Sequence, residues 1–271
     1  MTMSRTIMAL VLATLCGATQ ADAQEWTGGY ISGHIGFSKI AEGSDNVLVF
    51  DKNLDGDFSD TINTAAGANA FSPGFCVGAA ATSVPSGGCV VDDDGIDFGG
   101  RAGYDWQSGG FVVGGVIELS APDHTDSVAA FSTTPAFYTF TRELTYVGGL
   151  RARAGFGGER MLIYGTGGGA WAKIDHSFAT SNTANTFVED ADDMAWGYQL
   201  GGGIDFKLGK VTAGAEYLWT SLMDEDRYTV RSQGPAGATN PFLLTNPAGT
   251  DIQRADKFEF GAIRFTMGYR F

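Results

Sequence analysis

Residues 51–60, Asp-Lys-Asn-Leu-Asp-Gly-Asp-Phe-Ser-Asp, begin like a calcium loop. Oxygen ligands at alternate positions, here Asp51, Asn53, Asp55 and Asp57, with Gly56 for the sharp turn, are what a hard divalent cation requires. The twelfth position is Ile62 rather than Glu, so no EF-hand is implied. The competing reading is an acidic, solvated turn; no other motif suggests a cofactor. The three histidines invite a test for catalysis, because hydrolysis by a serine needs Ser, His and an acid within hydrogen-bond reach. His34 shares its parity with Ser32 and Ser38, His124 lies beside Asp123 and Asp126, and His176 follows Asp175. None matches a catalytic motif, and residues 165–169, Gly-Thr-Gly-Gly-Gly, lack the Lys of a phosphate-binding loop. The sequence therefore reads as a protein that is not an enzyme.

The 271 residues carry a formal net charge of -14, and 40 of them are Gly. That Gly content has no collagen period, and the 19 Phe, 9 Tyr and 5 Trp exclude a disordered chain. An acidic chain without clustered Lys and Arg is a poor nucleic-acid binder. Arg5, the apolar run 7–15 and the small residues of Ala21-Asp22-Ala23 give residues 1–23 the form of a cleaved signal peptide, leaving 24–271 as the mature domain. In an exported chain, Cys76 and Cys89 read as a disulfide closing a loop.

Period-2 alternation recurs eight times, over 26–39, 95–106, 111–120, 141–156, 161–174, 195–206, 211–220 and 263–271. Three links are tight turns, 107–110, 157–160 and 207–210, whereas 40–94, 121–140, 175–194 and 223–256 are long and polar. Strict alternation of short and long links predicts an all-β fold: an eight-stranded antiparallel up-and-down transmembrane β-barrel with long extracellular loops. Aromatic residues near strand ends (Trp26, Tyr104, Trp106, Phe111, Phe156, Trp219, Tyr269, Phe271) fit interfacial girdles. The lumen of eight strands is just wide enough for side chains to fill it. Arg101, Glu118, Arg151, Arg153, Glu216, Arg264 and Arg270, all on polar faces, should therefore meet there as an ionic network. Arg outnumbers Glu in that set, so a path along it would favour anions. The acidic runs 92–94, 189–193 and 224–226 fall near loop roots and read chiefly as solvated.

The mature start, Glu25-Trp26-Thr27-Gly28-Gly29-Tyr30-Ile31-Ser32-Gly33, resembles the opening strand of the eight-stranded outer-membrane barrels of bacterial surface antigens, the porin-family or OmpA-like barrels. Residues 103–114 resemble that family's first short hairpin, and 263–271, ending in Phe271, its closing strand. The resemblance implies location in the cell outer membrane and a terminal Phe271 offered to the barrel-assembly machinery. It also implies contact with outer-membrane lipid and lipopolysaccharide. The expected barrel is monomeric, and the sequence, stopping at Phe271, is expected to lack the periplasmic domain that follows the barrel in OmpA-type proteins. The first loop, about 40–94, is larger than the family likeness leads one to expect. The expected role is a structural and surface protein with exposed loops; the alternatives are a narrow low-conductance porin and, third, a lipid-modifying enzyme.

Overall fold

The computed structural model describes residues 26–41, 46–92, 95–234, 237 and 239–271. The signal peptide expected over 1–23 lies outside these, as do Asp93 and Asp94. Eight long strands make the barrel, and we number them in chain order: β1 (Gly28–Ile40), β2 (Gly95–Ser108), β3 (Phe111–Pro122), β4 (Ala136–Gly157), β5 (Met161–Thr180), β6 (Met194–Leu208), β7 (Val211–Met223) and β8 (Phe258–Arg270). Each pairs antiparallel with its sequence neighbour, and β8 returns to β1 with Tyr30 opposite Arg270 and Phe37 opposite Ile263. Pairing closes the sheet completely, which leaves no barrel edge to satisfy in lipid.

Alternation sets the two faces. Ile31, Ile35, Phe37, Phe98, Ile117, Leu150, Ile263, Phe265 and Met267 point outward and are exposed, whereas Asp97, Arg101, Asp105, Glu118, Arg151, Glu216 and Arg264 are buried inside. An apolar exterior over a charged interior is the inverse of a soluble protein, and it fits a barrel whose solvent is the bilayer. Tyr104, Trp106, Phe111, Phe156, Tyr269 and Phe271 crowd the end of the barrel that carries the short turns, all exposed.

Trp26 departs from the expected girdle: it is fully buried. Its indole N–H donates to the Gly158 carbonyl at 2.8 Å, and its ring lies under the Arg270 guanidinium, 5.3 Å from the ring centroid. Even-numbered residues of β1 face inward, and Trp26 keeps that parity, so it closes the turn end from inside.

The long links are not simple polar loops. β4 and β5 run beyond the expected limits and stay paired out to Tyr138 opposite Thr180, with a register shift at Lys173/Ile174. A strand at His124–Ser132 folds back on the outer half of β4, and Gly74–Val77 adds to its far side. Four segments from three links make a separate sheet in the order Thr186–Ala191, Tyr228–Gln233, Thr250–Arg254, Leu48–Asp51. Its apolar face packs Phe50, Ile62, Phe71, Tyr138, Phe140, Val230, Phe242 and Ile252 into a second core above the barrel. Cys76 and Cys89 are disulfide-bonded, with Cα atoms 6.3 Å apart, within the first link.

Candidate functional site: the lumen and its cap

β4 alone traces the interior from one end to the other. Inward from the turn end come Arg153 and Arg151, then Val147 and Leu144, then Arg142, then Phe140 and Tyr138, every one buried. The register shift in the β4–β5 pairing moves the inward face from odd to even positions, so the alternation read over 141–156 changes sign midway.

The structure brings the seven expected lumen residues together and adds three. Arg101 pairs with Glu216 at 2.8 Å, and Arg151 with Glu118 at 2.9 Å and Glu216 at 3.6 Å. Arg264 pairs with Glu118 at 2.6 Å and also with Asp97; Arg153 reaches Asp105 at 2.6 Å and Asp205 at 3.2 Å. Arg270 joins Asp105 at 3.0 Å. The additions are Asp97, Asp105 and Asp205, which lie on the same inward faces as the arginines. The excess of Arg over Glu is therefore corrected: five guanidiniums meet Asp97, Asp105, Glu118, Asp205 and Glu216, five carboxylates, and this part of the lumen carries no net anion-attracting field. The balance matters energetically, because a buried ion left without a partner is strongly destabilising.

Glycines make the pairing geometrically feasible. Gly36 of β1 stands in register between Arg264 and Asp97, Gly114 of β3 between Asp105 and Arg153, and Gly168 of β5 between Arg151 and Gln199. With no side chain on the middle strand, a guanidinium reaches across it to its partner; Arg151 Nη1 donates to Gln199 Oε1 at 2.9 Å. Gly203 does the same for the Tyr164 hydroxyl, which donates to Glu216 at 2.8 Å.

Towards the loops an apolar layer follows. Leu144, Val147, Ala170, Ala172, Ile174, Ala195, Leu222, Phe258 and Phe260 form one buried cluster filling that level of the barrel. Above it Arg142 donates to Asp126 (2.9 Å), Asp224 (3.2 Å) and Asp256 (2.5 Å), and stacks over Phe258 at 4.8 Å. Arg254 holds Asp126 at 3.1 Å and the Asn46 amide oxygen at 2.7 Å. Burial alone would raise the Asp126 carboxyl, but Arg142 and Arg254 outweigh it and hold it below its ordinary value. Asp224, read from sequence as part of a solvated acidic run, is instead buried and also meets His176 Nε2 at 3.2 Å. Asp192 pairs with Arg227 at 2.6 Å, and Asp92 accepts from the Ser127 amide at 2.7 Å.

The remaining sequence candidates are engaged by neighbouring groups. Asp51 is buried, and its two carboxylate oxygens accept from the amides of Asn53, Leu54, Asp55 and Gly56. Asn53, Asp55 and Asp57 likewise accept from amides two residues on, and among the described residues no group of three or more acidic, His or Cys side chains converges to hold a metal. His34 is buried in the lumen, 3.7 Å from Asp97; Ser32 is engaged by Arg101 and Ser38 by the Gly95 carbonyl. Neither serine bonds to His34. His124 packs against Phe258 and Phe260, and His176 stacks on Tyr228.

A closed eight-stranded barrel, apolar outside and ion-paired inside, with short turns at one end and folded segments at the other, defines an outer-membrane barrel protein. The chain belongs to the family described as outer membrane protein beta-barrel domain, whose profile matches residues 8–271. It is 27% identical over 208 residues, 76% of this chain and 75% of the relative, to a 31 kDa outer-membrane immunogenic protein of Brucella melitensis. A 22 kDa outer membrane protein of Rhizobium leguminosarum is 28% identical over 156 residues, 56% of this chain and 65% of the relative. Among solved structures, the outer membrane protein OprG from Pseudomonas aeruginosa aligns at a TM-score of 0.47 and 14% identity, covering 92% of this chain and 99% of that one. The chain is thus an outer-membrane protein embedded in lipid.

Proposed function

We propose that this protein is a structural and surface component of the outer membrane: a monomeric barrel with a closed lumen that carries a folded platform outward. The observation that carries this reading is the stacking of two layers in one lumen, the ion-paired one around Glu118 and the apolar one around Phe258 and Phe260. Ions crossing it would have to break paired charges and then pass a layer of mainly apolar side chains. The platform would meet lipopolysaccharide and whatever approaches the cell. Phe271, exposed at the end of the closing strand, is the group we assign to recognition by the barrel-assembly machinery. No catalytic role is proposed, since His34 sits inside the closed lumen.

Planar-bilayer recording of the purified protein tests this. Silence is the expected result. Reproducible small channels that change on Arg151 or Arg153 substitution would overturn it in favour of a low-conductance pore, and hydrolysis of labelled lipid A lost on His34→Ala would restore the enzyme.

A further inference from the structure

Beyond the closed barrel, the platform contains a pocket at the end farthest from the short turns. The tight link after Ser132, the link after Thr180 and the 3-10 turn Pro241–Leu243 meet around a cavity of about 260 Å³. That is near the lower end of the roughly 300–1,000 Å³ of small-molecule sites. Its floor is apolar, formed by Phe71, Tyr138 and Phe242, which contact one another edge to face at centroid distances of 5.2 to 5.9 Å. Its rim is hydroxyl and amide: Thr133, Thr134, Thr183, Asn182, Asn185 and Asn240.

The walls are locked. Asn182 Nδ2 donates to the Tyr138 hydroxyl at 2.9 Å and to Asn185 Oδ1 at 3.1 Å, and Asn240 Nδ2 donates to the same oxygen at 2.9 Å. The Asn185 amide thereby ties two links together, and Asn182 ties them to β4, so the cavity is formed before any ligand arrives.

Among the described residues no Asp, Glu, Lys, Arg or His lines the pocket, although the sequence holds 31 acidic and 17 basic residues. An ionic ligand would find no counter-charge. A wholly apolar ligand would strip water from the threonine hydroxyls and asparagine amides without replacing it. The lining suits a small, uncharged molecule with an apolar face and an edge of groups that both donate and accept, as hydroxyls do.

We propose that this pocket binds one neutral pyranose ring, its C–H face towards Phe71, Tyr138 and Phe242 and its hydroxyls towards Thr133, Thr134, Thr183 and the asparagine rim. The proposal rests on the reading of the loops as an outward-facing platform and supplies that platform with a ligand class. The sugar could come from saccharide of the same outer leaflet or from another surface.

The test is saturation-transfer NMR on the full chain in lipid nanodiscs, with neutral methyl pyranosides in one arm and polysaccharide released from lipopolysaccharide of the same membrane in the other. A sulfated disaccharide serves as the charged comparison. Neutral sugars should give signal and the sulfated one none, and the arm that responds identifies the source. Ala184→Trp, which places a large ring in the cavity mouth, should weaken binding by at least about tenfold. Thr183→Val should weaken it less. Both variants are first checked for heat-modifiable migration, so that loss of binding is not loss of fold. Absence of signal from every neutral sugar, preference for the sulfated one, or binding unchanged in Ala184→Trp would overturn the proposal. Channels in a bilayer would overturn the closed-lumen reading without touching this result, so the two failures are distinguishable.

Discussion

Arg264 Nη1 donates to Glu118 Oε1 at 2.6 Å although their strands, β8 and β3, are separated by two others. The bond crosses the lumen, and Glu118 also receives Arg151 at 2.9 Å, so one carboxylate bridges two guanidiniums from different walls. Glu118→Ala leaves both cations buried beside one fewer anion. We expect it to lower barrel stability by about 3–5 kcal/mol, the range for breaking a buried ion pair. Denaturant unfolding in lipid vesicles, followed by heat-modifiable gel migration, reads the change. An unaltered midpoint would show that the network contributes nothing to stability.

The glycines inside the barrel can be told from those outside by substitution. A methyl on Gly168 meets the Leu150 carbonyl oxygen and the Arg151 Cα, both backbone, whereas one on the adjacent Gly169 meets nothing within 4 Å. Gly168→Ala should therefore cost about 1–3 kcal/mol, as overpacking does. Gly169→Ala should stay within about 0.5 kcal/mol. Equal effects from the two, by the same unfolding measurement, would remove the argument that the inward glycine clears a path for Arg151.

Acid should loosen the platform before it affects the barrel. Asp126 has its folded carboxyl held below the ordinary 3.8 by Arg142 and Arg254 against the opposing effect of burial, so its contribution is present above that value and disappears as pH falls through the lower folded one. Hydrogen exchange of residues 124–132 should rise only below the ordinary value, while the β1–β8 pairing stays protected. In Asp126→Asn the platform should already exchange quickly at neutral pH and show no such acid step. Protection unchanged to the lowest pH, or a step that survives in the variant, would contradict this.

Reduction of the Cys76–Cys89 bond should free the first link without opening the barrel. A closed loop of about this length is worth roughly 3 kcal/mol in the chain-entropy account. Limited proteolysis should cut between 76 and 89 faster in Cys76→Ser/Cys89→Ser, with heat-modifiable migration unchanged. Alkylation of both thiols before any reductant is added would show that the bond is absent.

The barrel was legible because each of its strands writes its two environments in alternate residues. Phe265 and Met267 against Arg264 and Thr266 need no partner strand to be read. The carboxylates Asp97, Asp105 and Asp205 share the polar faces of their strands, but their membership of the network was harder to recognise because their partners lie across at least one other strand; for Asp97 and Asp105 a further sign is a glycine in register on the strand between, Gly36 and Gly114. Trp26 was misplaced because an aromatic at a strand end suits a girdle, while its parity with Tyr30, which is buried, points inward. The platform was illegible for a different reason. Phe50, Phe71, Phe242 and Ile252 are scattered among turn residues, and their packing is set by contacts between distant links rather than by any local period. The register shift at Lys173/Ile174 likewise leaves no mark that alternation alone can detect.

If the platform faces outward as proposed, it also determines what an antibody would see. Its pocket end is assembled from residues near 70, 133, 183 and 241, which lie far apart in the chain and are joined through Asn185 and the aromatic floor. A binding site on that surface is composite. Serum raised against the folded protein should recognise it only while the four links remain assembled, and single-loop peptides would be poor substitutes for it as immunogens.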